Sequence, residues 1–264
     1  MSSRVVYLMY HEIELVGQTT CETEPGYTRY VVSEQEFRRQ MSWLEAEGFQ
    51  GVSVAEALKL TRWNDNSDRR PIVITFDDGS ETDLIAAAPA LKQSGFNATF
   101  YVIAGRLGKR GYLSEQQLRE LSDEGFEIGC HSMTHRYLSE LNENGLRVEV
   151  VEAKKRIEQI IGRRVASFSC PGGRWSAQVA RVAREAGYDS LATSRTGANP
   201  CSADLFRLSR IAMMRGTSMT DYERLCRGEG LLMRRARAQL FDTAKGLLGN
   251  SLYEKVRSLV LSRT

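Results

Sequence analysis

Pro71-Ile72-Val73-Ile74-Thr75-Phe76-Asp77-Asp78-Gly79 is the stretch on which the reading of this chain turns. A short apolar, β-branched run reads as a buried strand. It stops on two adjacent carboxylates and a glycine. Neighbouring Asp side chains repel each other, and burying them costs free energy unless a cation or a raised pKa relieves the repulsion. Gly79 permits a tight turn and leaves space beside the carboxylates. One reading is an oxygen-rich site at the C-terminal end of a strand. The other is a solvated Asp-Gly turn. The surrounding chain has to decide.

Outward from this stretch, strand and helix signals alternate. Residues 4–10, rich in Val and Tyr, read as a strand running into His11. Residues 12–32 are polar, with Gly17, Pro25 and Gly26, and read as a loop of a length uncommon unless functional. Ser33 and Glu36 form a capping-box pattern for a helix that Gly48 ends; Ser53 and Glu56 open a shorter one to residue 60. Residues 61–70 read as a polar loop. Beyond Gly79, a helix over 84–94 carries Pro89, which predicts a break there. A strand over 98–103, a helix capped by Ser114 and a strand over 126–130 ending on His131 follow. Then come an amphipathic helix over 146–161, a strand over 165–169 leading into Cys170-Pro171-Gly172-Gly173, and a helix over 176–186. A strand over 190–193, a loop over 195–204 and a strand over 206–214 close the pattern.

About seven alternations argue an α/β fold with a parallel sheet and right-handed crossovers, either open or closed into a barrel. Three strands end on polar constellations: Asp77-Asp78, His131 and the Pro171 loop. In closed α/β barrels the site lies at the C-terminal face of the strands, which would bring these distant residues together.

The bulk numbers narrow the classes. The chain has 264 residues, 42% apolar and 26% charged, as in an ordinary globular protein able to bury a sizeable core. A net charge of +3 is too mild to imply nucleic acid as a partner. Cys21, Cys130, Cys170, Cys201 and Cys226 are odd in number and scattered, which argues against a disulfide framework or a Cys-type zinc site. The apolar run before His11 is too short for a signal peptide, and no stretch approaches the roughly 20 apolar residues of a membrane span. The expected location is therefore cytoplasmic. Two units are expected: a main domain over 1–220 and a basic amphipathic helical tail over 221–264. The tail, with Leu231, Leu240, Leu247, Val256 and Leu259 among Arg234, Arg237, Lys245 and Lys255, suits helices packed outside the barrel. It also suits a peripheral contact at the inner membrane face.

Any imidazole chemistry must be built from His11, His131 and His135, the chain's three histidines. In His131-Ser132-Met133-Thr134-His135 the two rings are four residues apart. A helical turn there would aim both at one divalent metal. A zincin would need Glu directly after the first His, where Ser132 stands. Two His and one carboxylate with open positions make a workable catalytic metal site. The Asp pair then separates into a metal ligand and a free base, because a bound cation relieves the repulsion and acidifies its water. Amide hydrolysis also needs a proton for the leaving amine, for which His11 is the remaining imidazole. An N–H of the Cys170-Pro171-Gly172-Gly173-Arg174-Trp175 loop could help hold an oxyanion.

With Thr75-Phe76-Asp77-Asp78-Gly79, His131-Ser132-Met133-Thr134-His135 and Phe168-Ser169-Cys170-Pro171-Gly172-Gly173 in this order, residues 5–214 resemble the polysaccharide deacetylases of the NodB-homology type, carbohydrate esterase family 4. The resemblance implies a distorted (β/α)7 barrel. It implies Asp77 as general base and Asp78, His131 and His135 as ligands of a divalent metal, with Zn2+ usual and Co2+, Ni2+ or Fe2+ as alternatives. The Gly172 N–H would lie at the oxyanion, with Pro171, Arg174 and Trp175 beside it toward substrate. The chain departs from the family pattern in three places, one of them the acetate-pocket Trp motif, which is not visible where the family has it. Ser169 stands where an Arg usually orients the base, leaving Arg174 and Arg210 as candidates to replace it. No His follows His135, where the family's acid usually sits. Leu8-Met9-Tyr10-His11, however, looks like the first strand of the permuted branch, the exopolysaccharide and poly-N-acetylglucosamine deacetylases, so His11 inherits the acid's role by resemblance.

The expected function is a metal-dependent hydrolase that removes N-acetyl groups from an acetylated glycan, with N-acetylhexosamine units of an exopolysaccharide or its precursor as the expected substrate. Two alternatives stay open: an O-acetyl esterase or small-amide hydrolase on the same fold, and a non-catalytic, metal-carrying glycan-binding protein.

Overall fold

The computed structural model describes residues 4–62 and 70–231. The expected polar loop from 63 to 69, and the tail from 232 onward, lie outside the described residues. In chain order the elements are β1 (Arg4–Tyr10), β2 (Ile13–Glu14), α1 (Pro25–Thr28), β3 (Val32–Ser33), α2 (Glu34–Ala46), β4 (Phe49–Val52) and α3 (Val54–Arg62). Next come β5 (Arg70–Phe76), α4 (Ala88–Gln93), β6 (Thr99–Val102), α5 (Glu115–Asp123), β7 (Glu127–Cys130), α6 (Glu143–Arg147) and α7 (Ala153–Ile161). The described chain closes with β8 (Ser167–Ser169), α8 (Ala177–Glu185), β9 (Ser190–Ala192), β10 (Ala198–Pro200), β11 (Ile211–Ala212) and α9 (Met219–Cys226).

The strands form one sheet in the order β10-β1-β5-β6-β7-β8-β9, with β4 beside β5 and β11 beside β1. All pairings are parallel except β1 with β10. The sheet curls, and residues 208–212 span the gap between its ends. Leu208 bridges Ala192 of β9, and Ile211 pairs with Leu8 of β1. The single strand expected over 206–214 is short for that reason: the segment changes partner halfway. Arg210 lies between the two partners.

Several local expectations hold. Ser33 Oγ accepts from the Glu36 N–H, and Ser114 with Gln117 makes a complete capping box. Pro89 opens α4 after a π-helical turn, Asp83–Ala87, as the predicted break required. Three do not. Residues 12–32 carry a small two-stranded sheet, β2 with β3, and the short α1. β4 and β10 fall in segments read as a connection and a loop. Their apolar signals are brief, and tertiary pairing along β5 and β1 creates them. The boundary expected at 220/221 falls inside α9. Tyr222, Leu225 and Cys226 of that helix are buried in the main core, so the chain to 231 packs as part of the barrel. No described helix is long and apolar enough to cross a membrane.

Candidate metal and deacetylation site

Strand register assembles the site. Tyr10 pairs with Phe76, and the Asp77 N–H donates to the Tyr10 carbonyl at 3.0 Å, so His11 and Asp77 leave their strands side by side. Val102 pairs with Cys130 and receives the His131 N–H at 2.8 Å. Cys130 pairs with Phe168, which brings His131 beside Ser169. All these ends are carboxyl ends, where parallel α/β sheets open toward ligands.

Past the strand ends the backbone turns sharply. Asp78, Ser132 and His135 have φ of 83°, 69° and 65°, and they are the positive-φ non-glycine residues among those described. Each such position costs on the order of 1–3 kcal/mol, and strain of this kind concentrates at functional sites. Gly79 continues the turn at φ 78°, where an added Cβ would meet Val102 Cγ1 at 3.0 Å. Residues 131–135 are therefore not the helical turn that their spacing suggested. The two left-handed residues do the converging instead. The Ser132 hydroxyl accepts from the His135 N–H at 3.0 Å.

Buried Glu149 holds the same loop from below. Its carboxylate accepts from the Met133 and Thr134 backbone N–H groups at 3.0 and 2.8 Å, and from the Thr134 hydroxyl. Sequence reading passed over this residue. The available signal was a lone carboxylate on the apolar face formed by Leu146, Val150 and Ala153.

The ligand atoms of Asp78, His131 and His135 lie within 4.8 Å of one another. Asp78 Oδ1 is 3.5 Å from Nε2 of each histidine. Tetrahedral zinc, with bonds of about 2.0–2.1 Å, separates its ligands by about 3.3 Å. His131 Nδ1 contacts the Ser169 carbonyl at 2.9 Å, which fixes the ring and leaves Nε2 directed at Asp78. Burial drives the His131 pKa down to about 3 and also lowers that of His135, so both rings are neutral, as metal ligands must be. Burial, reinforced by the Asp77 charge, pushes Asp78 up to about 6, and its Oδ1 is buried with no hydrogen-bond partner. An orphaned carboxylate oxygen between two neutral imidazoles fits a divalent cation.

Asp77 is treated differently by its surroundings. Burial alone would raise its pKa, but the Arg210 guanidinium outweighs that, and the carboxyl is held below the ordinary range. Arg210 places Nη1 and Nη2 each 2.7 Å from the two carboxylate oxygens. Its remaining N–H groups reach Thr75 Oγ1, Ser169 Oγ and the Thr193 carbonyl, so all five donors are used. Ser169 donates in turn to Asp77 Oδ2 at 3.2 Å. The small residue at 169 makes room for an arginine delivered from the barrel's closing segment. Of the two candidates, Arg210 rather than Arg174 reaches the carboxylate.

His11 stacks on Tyr30 with ring centroids 4.7 Å apart. Burial lowers its pKa below the ordinary value, opposed by the Asp78 and Asp77 charges. Pro171 is buried, and Gly172 takes φ 60°. Arg174 turns away from Asp77 to Glu140 Oε1 at 2.7 Å and stacks on Tyr137. The Trp175 indole donates to the Phe206 carbonyl at 2.7 Å and lies under Arg207. These contacts tie its ring to residues 206 and 207.

The curled, largely parallel sheet thus carries an Asp-His-His cluster and an Arg-bound Asp at the carboxyl ends of its strands. Residues 64–191 match the polysaccharide deacetylase family. The chain is 28% identical over 216 residues to Bacillus subtilis "Putative polysaccharide deacetylase YxkH", covering 82% of this chain and 74% of that one. It is 34% identical over 144 residues to the peptidoglycan-N-acetylglucosamine deacetylase of Bacillus cereus, covering 52% of this chain and 65% of that one. Staphylococcal poly-β-1,6-N-acetyl-D-glucosamine N-deacetylases also match. The fold superposes on the Streptococcus pyogenes deacetylase PplD with a TM-score of 0.75 at 22% identity, covering 86% of this chain and 99% of that one. Residues 64–191 match a polysaccharide deacetylase domain, and the matched relatives support a deacetylase enzyme over a non-catalytic binding protein.

Proposed function

We propose that the protein is a metal-dependent N-deacetylase acting on N-acetylglucosamine units of a glycan. The observation that carries this reading is the division of an adjacent Asp pair. Asp77 is clamped by Arg210, while Asp78 faces two neutral imidazoles with an unpartnered oxygen. Asp78, His131 and His135 would hold the metal, and Zn2+ suits two imidazoles and a carboxylate; Co2+, Ni2+ and Fe2+ are alternatives. Such an ion supplies a Lewis acid at the acetyl carbonyl and lowers the pKa of the attacking water. Asp77, kept ionised and oriented by Arg210, takes a proton from that water. The hydroxyl joins the acetyl carbon, and the Gly172 N–H donates to the oxygen that gains charge. His11 gives a proton to the nitrogen as the C–N bond breaks, so a free amine and acetate leave. Asp77 returns its proton to solvent, and His11 takes one back.

N-acetylglucosamine is the sugar named for the Bacillus cereus relative, and it is also the unit implied by the His11-bearing first strand. The test is acetate release from β-1,4- and β-1,6-linked N-acetylglucosamine oligomers, with the metal stripped by chelator and returned as a series of divalent ions. Release that is abolished by chelation and restored by metal supports the reading. Unchanged release after complete stripping sinks the metal dependence, and no release from any acetylated glycan sinks the substrate.

One observation favours a second reading, O-acetyl ester cleavage. Burial keeps the protonated form of His11 scarce at neutral pH, and an alkoxide leaving group needs an acid less than an amine does. Acetylated sugars bearing only O-acetyl groups separate the two.

A further inference from the structure

We propose that Tyr137 and Arg174 form a binding subsite for the sugar next to the one being deacetylated. This rests on the glycan deacetylase reading and adds what part of the glycan the protein grips. Tyr137 is one of four large apolar or aromatic side chains exposed among the described residues, at 41%. Tyr137 follows His135 by two residues, and its ring covers Gly172. A Cβ built at Gly172 would come within 2.6 Å of Tyr137 Cε1. The ring thus borders the Gly172 loop, whose backbone N–H is assigned to the oxyanion, two residues along the chain from a metal-ligand candidate, which puts it at the rim where the rest of a glycan must pass.

The ring is exposed, but it is held. The Arg174 guanidinium centre lies 3.8 Å from the ring centroid, and Glu140 fixes that guanidinium at 2.7 Å. Leu138, the next residue, is buried in the main core and anchors the backbone. An aromatic surface already immobilised gives up little freedom when a ligand covers it. Pyranose rings offer faces of C–H bonds that suit aromatic surfaces, and ring hydroxyls accept from guanidinium N–H groups. The pair therefore favours an oligomer over a single sugar. It also accounts for the glycine at 172, since a side chain there would take the ring's place.

The test compares kcat/KM for acetate release from N-acetylglucosamine and from its tetramers, in the parent protein, Tyr137→Ala and Tyr137→Phe. The parent should prefer the tetramer. Tyr137→Ala should shrink that preference by about fivefold to tenfold, and Tyr137→Phe should keep it. An unchanged tetramer-to-monomer ratio in Tyr137→Ala overturns the proposal, whatever happens to the absolute rates, because the ring would then only support the Gly172 loop. Tetramer binding by calorimetry to chelator-treated protein gives a readout independent of turnover. If the parent releases no acetate but Tyr137→Ala still weakens binding, the deacetylase substrate is wrong and the subsite stands. Equal binding by parent and variant removes the subsite alone.

Discussion

Arg210 Nη1 and Nη2 lie 2.7 Å from Asp77 Oδ1 and Oδ2, across 133 residues of sequence, in a pair almost wholly removed from solvent. The arginine comes from the segment that closes the barrel, so completion of the fold and orientation of Asp77, the proposed base, go together.

Breaking this pair should be expensive. Arg210→Met leaves Asp77 buried without its counter-charge and should cost about 3–5 kcal/mol. The pH dependence should also change sign. In the parent the folded-state pKa of Asp77 is depressed, so its contribution is present above the unfolded value of about 3.9 and is lost as pH falls below it. Without Arg210, burial raises the pKa, and stability is lost as pH rises through the raised value. Urea unfolding of chelator-treated parent and variant between about pH 3.5 and 7 checks this, and parallel stability curves would contradict it.

Asp77→Asn keeps the shape and removes the base. We expect kcat to fall by about 10²–10⁴-fold while metal affinity stays close to that of the parent. Metal content measured alongside turnover tests the division of roles; substantial retained activity would falsify the assignment of Asp77 as base.

Glu149 holds the loop between the two histidine ligands through Met133 and Thr134. Glu149→Ala should weaken metal binding by about 10–100-fold, as losing a partner behind a ligand commonly does, and Glu149→Gln by less. Competition against a chromophoric chelator measures this directly. An affinity equal to the parent's would show that the strained loop holds its shape unaided.

His11→Ala separates amide from ester chemistry. Loss of the proton donor should lower N-acetyl cleavage by about 10²–10³-fold and O-acetyl cleavage far less. Equal losses on the two substrates would point to a binding role for the imidazole rather than proton transfer.

Gly172→Ala should be poorly tolerated. The residue sits at φ 60°, and a Cβ would press on Tyr137 at 2.6 Å. Turnover should drop by at least about tenfold while the melting temperature moves little, because the clash is confined to a surface loop. Parent-like turnover would rule out this loop as part of the site.

Much of the fold was written locally. Capping pairs at Ser33 and Ser114, the break at Pro89 and apolar runs such as 71–76 depend on neighbours within a few residues. The missed strands β4 and β10 are short, and each gains its identity from pairing along a longer strand. The expected boundary at 220/221 falls inside α9 for a related reason. Tyr222 and Leu225 look like any amphipathic spacing until the barrel offers them a core to enter.

The sequence by itself determined the chemical inventory: an Asp pair on a strand end, two histidines four apart, and His11 on the first strand. These residue types at those strand ends point to one site, because a parallel barrel delivers its strand ends to one face. Tertiary structure alone decided which arginine orients Asp77, how a non-helical loop still converges His131 and His135, and that Glu149 supports it. Those outcomes depend on sheet closure, on left-handed backbone at Ser132 and His135, and on Arg210, which holds the Asp77 pKa down while burial pushes that of Asp78 up. None of these is a property of residues near one another in the chain.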